Sequence, residues 1–242
     1  APVMWQPRPD LEQAYQQMVQ MGVDPMTVPP PPPPVYLGQA PSVLAPYWAR
    51  NWAWNPKQGK PTTYYPTMVF PYRDAAGVLR GSVVRVELEE GKKITPTLRR
   101  AVIDGKAMWC HWPFDKPRPL YGLDRIGAAK QVFVVEGEKT ADSARRLLSD
   151  RCVVTWPGGG KSTAHVDWSP LAGRNVFLIG DADEEGEHTM LGHDQKGRWK
   201  KGVAEYAHEA GAIAIKYVPW DQDQPKGWDL ADAEEEGWNG AR

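Results

Sequence analysis

The stretch Val132-Phe-Val-Val-Glu-Gly-Glu-Lys139 constrains this chain more than any other. A short apolar run rich in β-branched residues that leads straight into an acidic turn fits a strand buried on both faces, as in a parallel sheet. The period then changes. Ala141, Ala144, Leu147 and Leu148 recur at helical spacing, with Arg145 and Arg146 on the other side, which predicts a helix directly after the turn. Open α/β sheets bind their ligands at the carboxyl ends of their strands, so the acids of this turn stand where chemistry is done. A second strand end of the same kind follows. The apolar run Asn175-Val-Phe-Leu-Ile-Gly180 is closed by Asp181-Ala-Asp183. Two residues apart on an extended chain, these carboxylates point the same way. If the two strands are neighbours, Glu136, Asp181 and Asp183 converge, and a hard divalent cation with oxygen ligands is the usual neutraliser of such a cluster. Solvated strand-end acids explain one such residue more readily than Glu-Gly-Glu and Asp-x-Asp at two buried strand ends.

Composition sets bounds. The 242 residues are 41% hydrophobic and 24% charged, which suits one or two globular domains. No run approaches the ~18 apolar residues of a membrane span, so no membrane partner is expected. Cys110 and Cys152 are far apart and form no Cys-x-x-Cys pair, so the expectation is a reduced, cytoplasmic setting with no zinc ribbon in this chain. The chain begins at Ala and reads as a fragment of something longer. Residues 1–130 carry a net charge of +6 and residues 131–242 one of −7. A basic half joined to an acidic half fits a protein that grips phosphates with one part and metal ions with the other.

Glu136-Gly137-Glu138 followed by Asp181-Ala182-Asp183 resembles the Toprim domain of primases, topoisomerases and some nucleases. Gly227-Trp-Asp-Leu-Ala-Asp232 is similar to the acidic segment near the end of primase Toprim domains, and Leu120-Tyr-Gly-Leu123 stands where primases carry the same four residues. A Trp-Pro-Gly-Gly stretch, here Trp156 to Gly159, also occurs in mobile-element primases. The likeness, to DNA primases of phages and mobile elements, covers roughly residues 64–236. It implies an α/β fold: a Toprim domain with a mainly parallel sheet flanked by helices, preceded by a smaller basic β-rich subdomain. It also implies a nucleotidyltransferase of the DNA-directed RNA polymerase type, in which Glu136, Asp181 and Asp183 are catalytic and hold two magnesium or manganese ions. Asp229 takes the third acidic metal position, and Glu138 supports the ligands from behind. The partners implied are single-stranded DNA, nucleoside triphosphates and a replicative helicase, in the cytoplasm of a bacterial host. One departure stands out: Thr140 occupies a position where many replicative primases carry Asp, so an outer metal contact is missing or is supplied by Asp142.

The organisation expected along the chain has three parts. Residues 1–41 hold a short amphipathic helix capped by Asp10 and a spacer containing the six-proline run Pro29–Pro34. Residues 42–130 form the basic subdomain, with aromatics between 46 and 65 and a small antiparallel sheet between 67 and 98. Residues 131–242 form the Toprim domain. Arg85, Lys92, Lys93, Arg99, Arg100, Arg118, Lys139 and Lys161 are the candidates for gripping template or triphosphate phosphates. Thr155 to Ser162 ends Gly-Lys-Ser like a P-loop, but Thr155 stands where a P-loop needs Gly and Pro157 would break the amide nest, so a glycine turn is the better reading. Residues 184–201, with His188 and His193, read as a polar inserted loop. The rival functions are a Toprim nuclease, a non-catalytic nucleic-acid-binding module and a P-loop NTPase. The Leu-Tyr-Gly-Leu segment and the basic subdomain favour primer synthesis.

Overall fold

The computed structural model describes residues 67–87, 93–103, 106–111, 113–220 and 223–239. The expected N-terminal helix, the proline run, the aromatic stretch and Lys92 lie outside these residues. The chain divides into two units between Phe114 and Asp115, earlier than the expected boundary at 130/131.

The N-terminal unit is β-rich. Strands β1 (Met68–Arg73), β2 (Leu79–Glu87), β4 (Thr97–Ile103) and β5 (Lys106–His111) form an antiparallel sheet in the order β1-β2-β4-β5, and the short β3 (Lys93–Ile94) pairs with β2. The β1–β2 turn forms where expected. The Asp74 carboxylate accepts from the backbone N–H groups of Ala76 and Val78, both at 3.0 Å, and from the Arg80 guanidinium, a local bonding pattern that favours Asp at turns. The carboxyl is held below its ordinary value by those amides and Arg80, against the opposing effect of burial. Tyr72, Leu79, Val83, Val84 and Leu98 are buried, and the Tyr72 and Phe114 rings pack at 4.8 Å.

The C-terminal unit opens with α1 (Leu123–Ile126) and is built on β6 (Gln131–Val135), β7 (Cys152–Val154), β8 (Asn175–Ile179) and β11 (Ala214–Tyr217). The four strands are parallel, in the order β11-β8-β6-β7. This is the α/β fold that the two apolar runs imply. Between β6 and β8 the strand order reverses direction, which makes the gap beyond their carboxyl ends the switch point of the sheet. Helix α2 (Glu138–Leu147) follows β6 and packs on α5 (Leu230–Glu235), with Lys139 paired to Glu235 and Arg146 to Glu234 across the two helices; Ala141, Ala144 and Ala233 are fully buried. On the other side of the sheet, Val132, Val134, Val176 and Leu178 form one core with Trp156, Trp168, Met190, Val203 and Ala207. Met190 comes from α3 (Glu184–Leu191); Val203 and Ala207 come from α4 (Val203–Glu209). Each buried Val or Leu contributes roughly 1.5–3 kcal/mol, so the β6–β8 pair is the anchor of the unit.

Residues 184–201 are not an irregular loop. Asp183 caps α3, its Oδ1 accepting from the Gly186 N–H at 2.8 Å, and Glu184, Glu185 and Glu187 fill the first turn, where the helix dipole favours acids. Gly186 suggests a loop in sequence. Here it serves close approach: a Cβ at this residue would sit 2.6 Å from the Asp181 nitrogen, and one on Gly180 would sit 2.7 Å from the Gly186 oxygen. The chain then forms a hairpin of β9 (His193–Gln195) and β10 (Arg198–Lys200) before α4.

The Leu120–Leu123 segment belongs to this unit through Tyr121. Its N–H donates to the Thr155 oxygen at 2.8 Å, and its hydroxyl donates to the Asp142 carboxylate at 3.0 Å. Arg145, only 11% exposed, donates to Asp142 at 2.7 Å and to the Val153 oxygen at 2.8 Å, with its guanidinium 4.5 Å from the centre of the Tyr121 ring. Burial, then the Asp142 charge, hold the Tyr121 phenol well above its usual range. Truncating a buried cation strands its partners, so Arg145→Ala is expected to lower stability by about 3 kcal/mol, read from denaturant unfolding. A drop below ~1 kcal/mol would mean that the network is solvated.

Candidate active site

The expected convergence of two strand ends is the geometry found. β6 and β8 pair in register, Val135 opposite Ile179, so Glu136 comes level with Gly180 and Asp181 follows one residue beyond, close enough for its backbone N–H to reach the Glu136 carboxyl. The Glu136 Oε1 atom is buried with no hydrogen-bond partner among the described residues. Its pKa is pushed up to about 8, first by burial and then by the Asp181 charge, with Asp183 and Glu185 adding to the rise and the Asp181 backbone N–H opposing it. A buried carboxyl that faces other carboxylates and has one oxygen without a donor is a site that wants a cation.

Asp183 serves the same centre and the fold together, through its cap on α3. The Asp181–Asp183 turn is clamped from outside by the segment before α5: the Ala182 N–H donates to the Trp228 oxygen at 2.8 Å. A cavity of about 430 Å³ opens over the turn, lined by Asp181, Asp183, Glu187, Tyr217, Trp220 and Gln224 among others. The Trp220 indole N–H donates to the Gly180 oxygen at 2.6 Å and packs edge-on to Trp228 at 4.9 Å. Tyr217, at the carboxyl end of β11, has its phenol raised by burial and by the charges of Glu187 and Glu136. Sequence reading missed Tyr217, Trp220 and Glu187 as neighbours of the acids. For Tyr217 the signal was available: it ends a strand parallel to the one carrying the Asp pair.

Asp229 has a different setting. Its Oδ1 accepts from the N–H groups of Ala231 at 2.5 Å and Asp232 at 3.2 Å, the Asp232 side chain returns a bond to the Asp229 N–H, and Thr140 donates to its Oδ2 at 2.7 Å. Both oxygens are thus engaged in capping α5 and tying it to α2. Thr140, at the position where an outer acid is expected, holds Asp229. Asp142 accepts from Tyr121 and Arg145. Asp229→Ala, which removes a full capping box and strands Thr140, is expected to lower stability by about 2 kcal/mol, with Asp229→Asn recovering much of the loss in the same thermal melt. Equal melts for Ala and wild type would show that the cap contributes nothing.

The remaining candidates lie as follows. Glu138 is buried in the first turn of α2. Lys139 is paired with Glu235 at 2.8 Å and Arg146 with Glu234, which holds the Glu234 carboxyl down to about 2, so Lys139 works between α2 and α5 in this structure. Arg118 is half-buried, its backbone bridged to Val166. Arg85, Lys93, Arg99 and Arg100 belong to the N-terminal sheet, Lys93 exposed and Arg85 and Arg99 half-buried. Lys161 is exposed. The Gly-Lys-Ser stretch is no phosphate cradle: the Ser162 hydroxyl donates to the Pro157 oxygen at 2.6 Å, and Gly160, Lys161 and Ser162 are themselves the first half of a six-residue 3-10 helix. His188 and His193 stack at 4.2 Å.

Among the described residues no group of three His, Cys, Asp or Glu side chains is placed to hold a metal ion. Magnesium commonly takes one or two carboxylates and completes its shell with water and substrate phosphates. The unpartnered Glu136 oxygen and the adjacent Asp181 and Asp183 fit such an ion.

No protein-family model and no curated protein matches the chain. Solved structures similar to it include the primase fragment of the bacteriophage T7 primase-helicase protein, at 17% identity and a TM-score of 0.45, over 70% of this chain and 57% of that one. The Escherichia coli primase catalytic core is similar at 17% identity and a TM-score of 0.42, over 95% of this chain and 71% of that one. A primase domain from Pseudomonas aeruginosa is similar at 17% identity and a TM-score of 0.40, over 83% of this chain and 54% of that one. The chain thus spans little more than half the length of two of these three structures.

Proposed function

We propose that this chain is the catalytic core of a DNA primase, which joins nucleoside triphosphates into a short primer on a single-stranded DNA template. The observation that carries the reading is the pair of adjacent parallel strands in register that end in Glu136 and in Asp181-Ala-Asp183, with the Glu136 carboxyl buried and one oxygen unpartnered. Asp181 and Asp183 would be the main metal ligands, and Glu136 a further ligand facing the same cation. Two divalent ions bound there would lower the pKa of the attacking 3′-hydroxyl and offset charge on the transferred phosphoryl group and the pyrophosphate. Asp183 is held in orientation by its cap on α3, and the carboxylates are held apart by the backbone of the two strands, so the ligand set is preorganised. Glu138 and Asp229 support the elements that carry these acids. The Leu120–Leu123 segment, joined to α2 through Tyr121, adds to the primase reading over a nuclease one.

The test is incubation with single-stranded DNA, labelled nucleoside triphosphates and magnesium or manganese. Short labelled products that disappear with a chelator are the expected result. Degradation of the DNA without synthesis would replace this reading with that of a nuclease, and DNA binding without either product would leave a binding module.

A further inference from the structure

The β9–β10 hairpin is an addition to the sheet-and-helix plan, and its composition is not that of an ordinary solvated turn. Its ends close on two glycines. A Cβ at Gly192 would sit 2.9 Å from the Gly202 nitrogen, and one at Gly202 would sit 2.7 Å from the Met190 oxygen, so α3 and α4 approach closely and the hairpin projects from their junction. Its tip is a two-residue turn in which Lys196 (φ 57°) and Gly197 (φ 77°) are both left-handed, with the Gly197 N–H donating to Asp194 Oδ1 at 2.8 Å. This is the turn that matches strand twist, and Asn or Asp is the usual first residue. Here a lysine takes that strained position.

Between Lys196 and Lys201 the chain presents Lys196, Arg198, Lys200 and Lys201, all exposed, and no acid. Lys201 is paired with Glu209; Lys196, Arg198 and Lys200 have no ion pair among the described residues. Trp199, in their midst, is 56% exposed, with its indole N–H fixed on Glu205 at 2.6 Å. Lys200 and Lys201 also share a cavity of about 300 Å³ with Lys161, His188 and His193; Glu185 is the acid that faces it. Exposed cations around an oriented, open indole are the elements of a single-strand binding surface, in which phosphates meet lysine and arginine and a base stacks on the ring.

We infer that the β9–β10 hairpin, together with Lys161, is a contact surface for single-stranded nucleic acid. This deepens the primase reading by naming the strand's path beside the acidic centre, and it rests on that reading in taking the anion to be nucleic acid. The cations are strung along an exposed hairpin and accompanied by an aromatic platform, an arrangement suited to an extended strand more than to a compact triphosphate.

The test is fluorescence anisotropy of a labelled single-stranded oligodeoxythymidylate with the whole chain, in chelator, over a range of salt. The triple variant Lys196→Gln/Arg198→Gln/Lys200→Gln is expected to weaken binding at least tenfold and to reduce the salt slope by about two, from ~0.7 per phosphate contact. Trp199→Ala is expected to weaken binding about tenfold with the slope unchanged, and Trp199→Phe to restore most of it. All the substituted residues are exposed, and a thermal melt checks that the variants fold. Wild-type affinity and slope in the triple variant would overturn the inference, as would a loss of triphosphate binding with oligonucleotide binding intact. Because the assay needs no metal, it separates two failures. A chain that binds through the hairpin and makes no primer sinks the primase reading alone. A chain that makes primer but binds DNA equally well without the hairpin cations sinks this one alone.

Discussion

Asp181→Asn with Asp183→Asn is expected to reduce primer synthesis by about 10³-fold or more while leaving the fold intact, since metal ions supply several kcal/mol to phosphoryl transfer and each 1.36 kcal/mol is tenfold in rate. The choice of Asn matters. Asp183 caps α3 through its bond from Gly186, and Asn keeps that cap, whereas Ala adds a stability loss of about 1 kcal/mol that would confuse the reading. Removing charge from a cluster that also contains Glu136 relieves repulsion, so the metal-free double variant is expected to melt no lower than wild type. Product yield at saturating template and triphosphate, together with the melt in chelator, checks both halves. Synthesis within tenfold of wild type would dismiss these acids as the metal ligands.

Glu136→Gln is expected to abolish synthesis and yet to stabilise the metal-free protein at alkaline pH. The sign follows from linkage. The Glu136 carboxyl has its pKa raised from 4.5 to about 8, so between those values the folded chain holds a proton that the unfolded chain has lost. Stability of the metal-free protein therefore falls as pH rises through that window, and Gln removes the effect, gaining on the order of 5 kcal/mol near pH 9. Binding of a divalent ion must expel the same proton. Metal affinity is expected to climb by up to about tenfold per pH unit below 8 and to level off above it, with proton release on binding that vanishes in Glu136→Gln. Calorimetry in buffers of different ionisation enthalpy reads that proton directly. A pH-independent metal affinity between 6 and 8 would show that Glu136 does not face the ion.

Some of this was legible in the chain itself, because it depends on local pattern. The apolar runs ending in Glu136 and Asp181, the change of period into α2, the turn at Asp74 and the last strand before Val218 all follow from spacing and residue type. What the pattern misread was residues 184–201. Gly186 and Gly192 suggest a loop when counted in sequence, while in space they allow a capped helix and the close return of a hairpin. The partners of Asp142 and Lys139 were not legible for a related reason. An exposed-looking acid or base on a helix reveals nothing of its partner until a distant segment, Tyr121 in one case and Glu235 in the other, packs against it.

The sequence by itself determined two buried strands with acids at their carboxyl ends, because burial period and strand alternation are properties of neighbouring residues. Tertiary structure alone decided that these strands are adjacent and in register, that Asp229 is occupied in capping α5 and in accepting from Thr140 while Glu136 keeps an oxygen unpartnered, and that four cations and a tryptophan project together on one hairpin. Those facts depend on strand order and on which distant groups share a volume, and it is that shared volume, with its desolvation and its neighbouring charges, that turns a carboxylate into a metal ligand or into a helix cap.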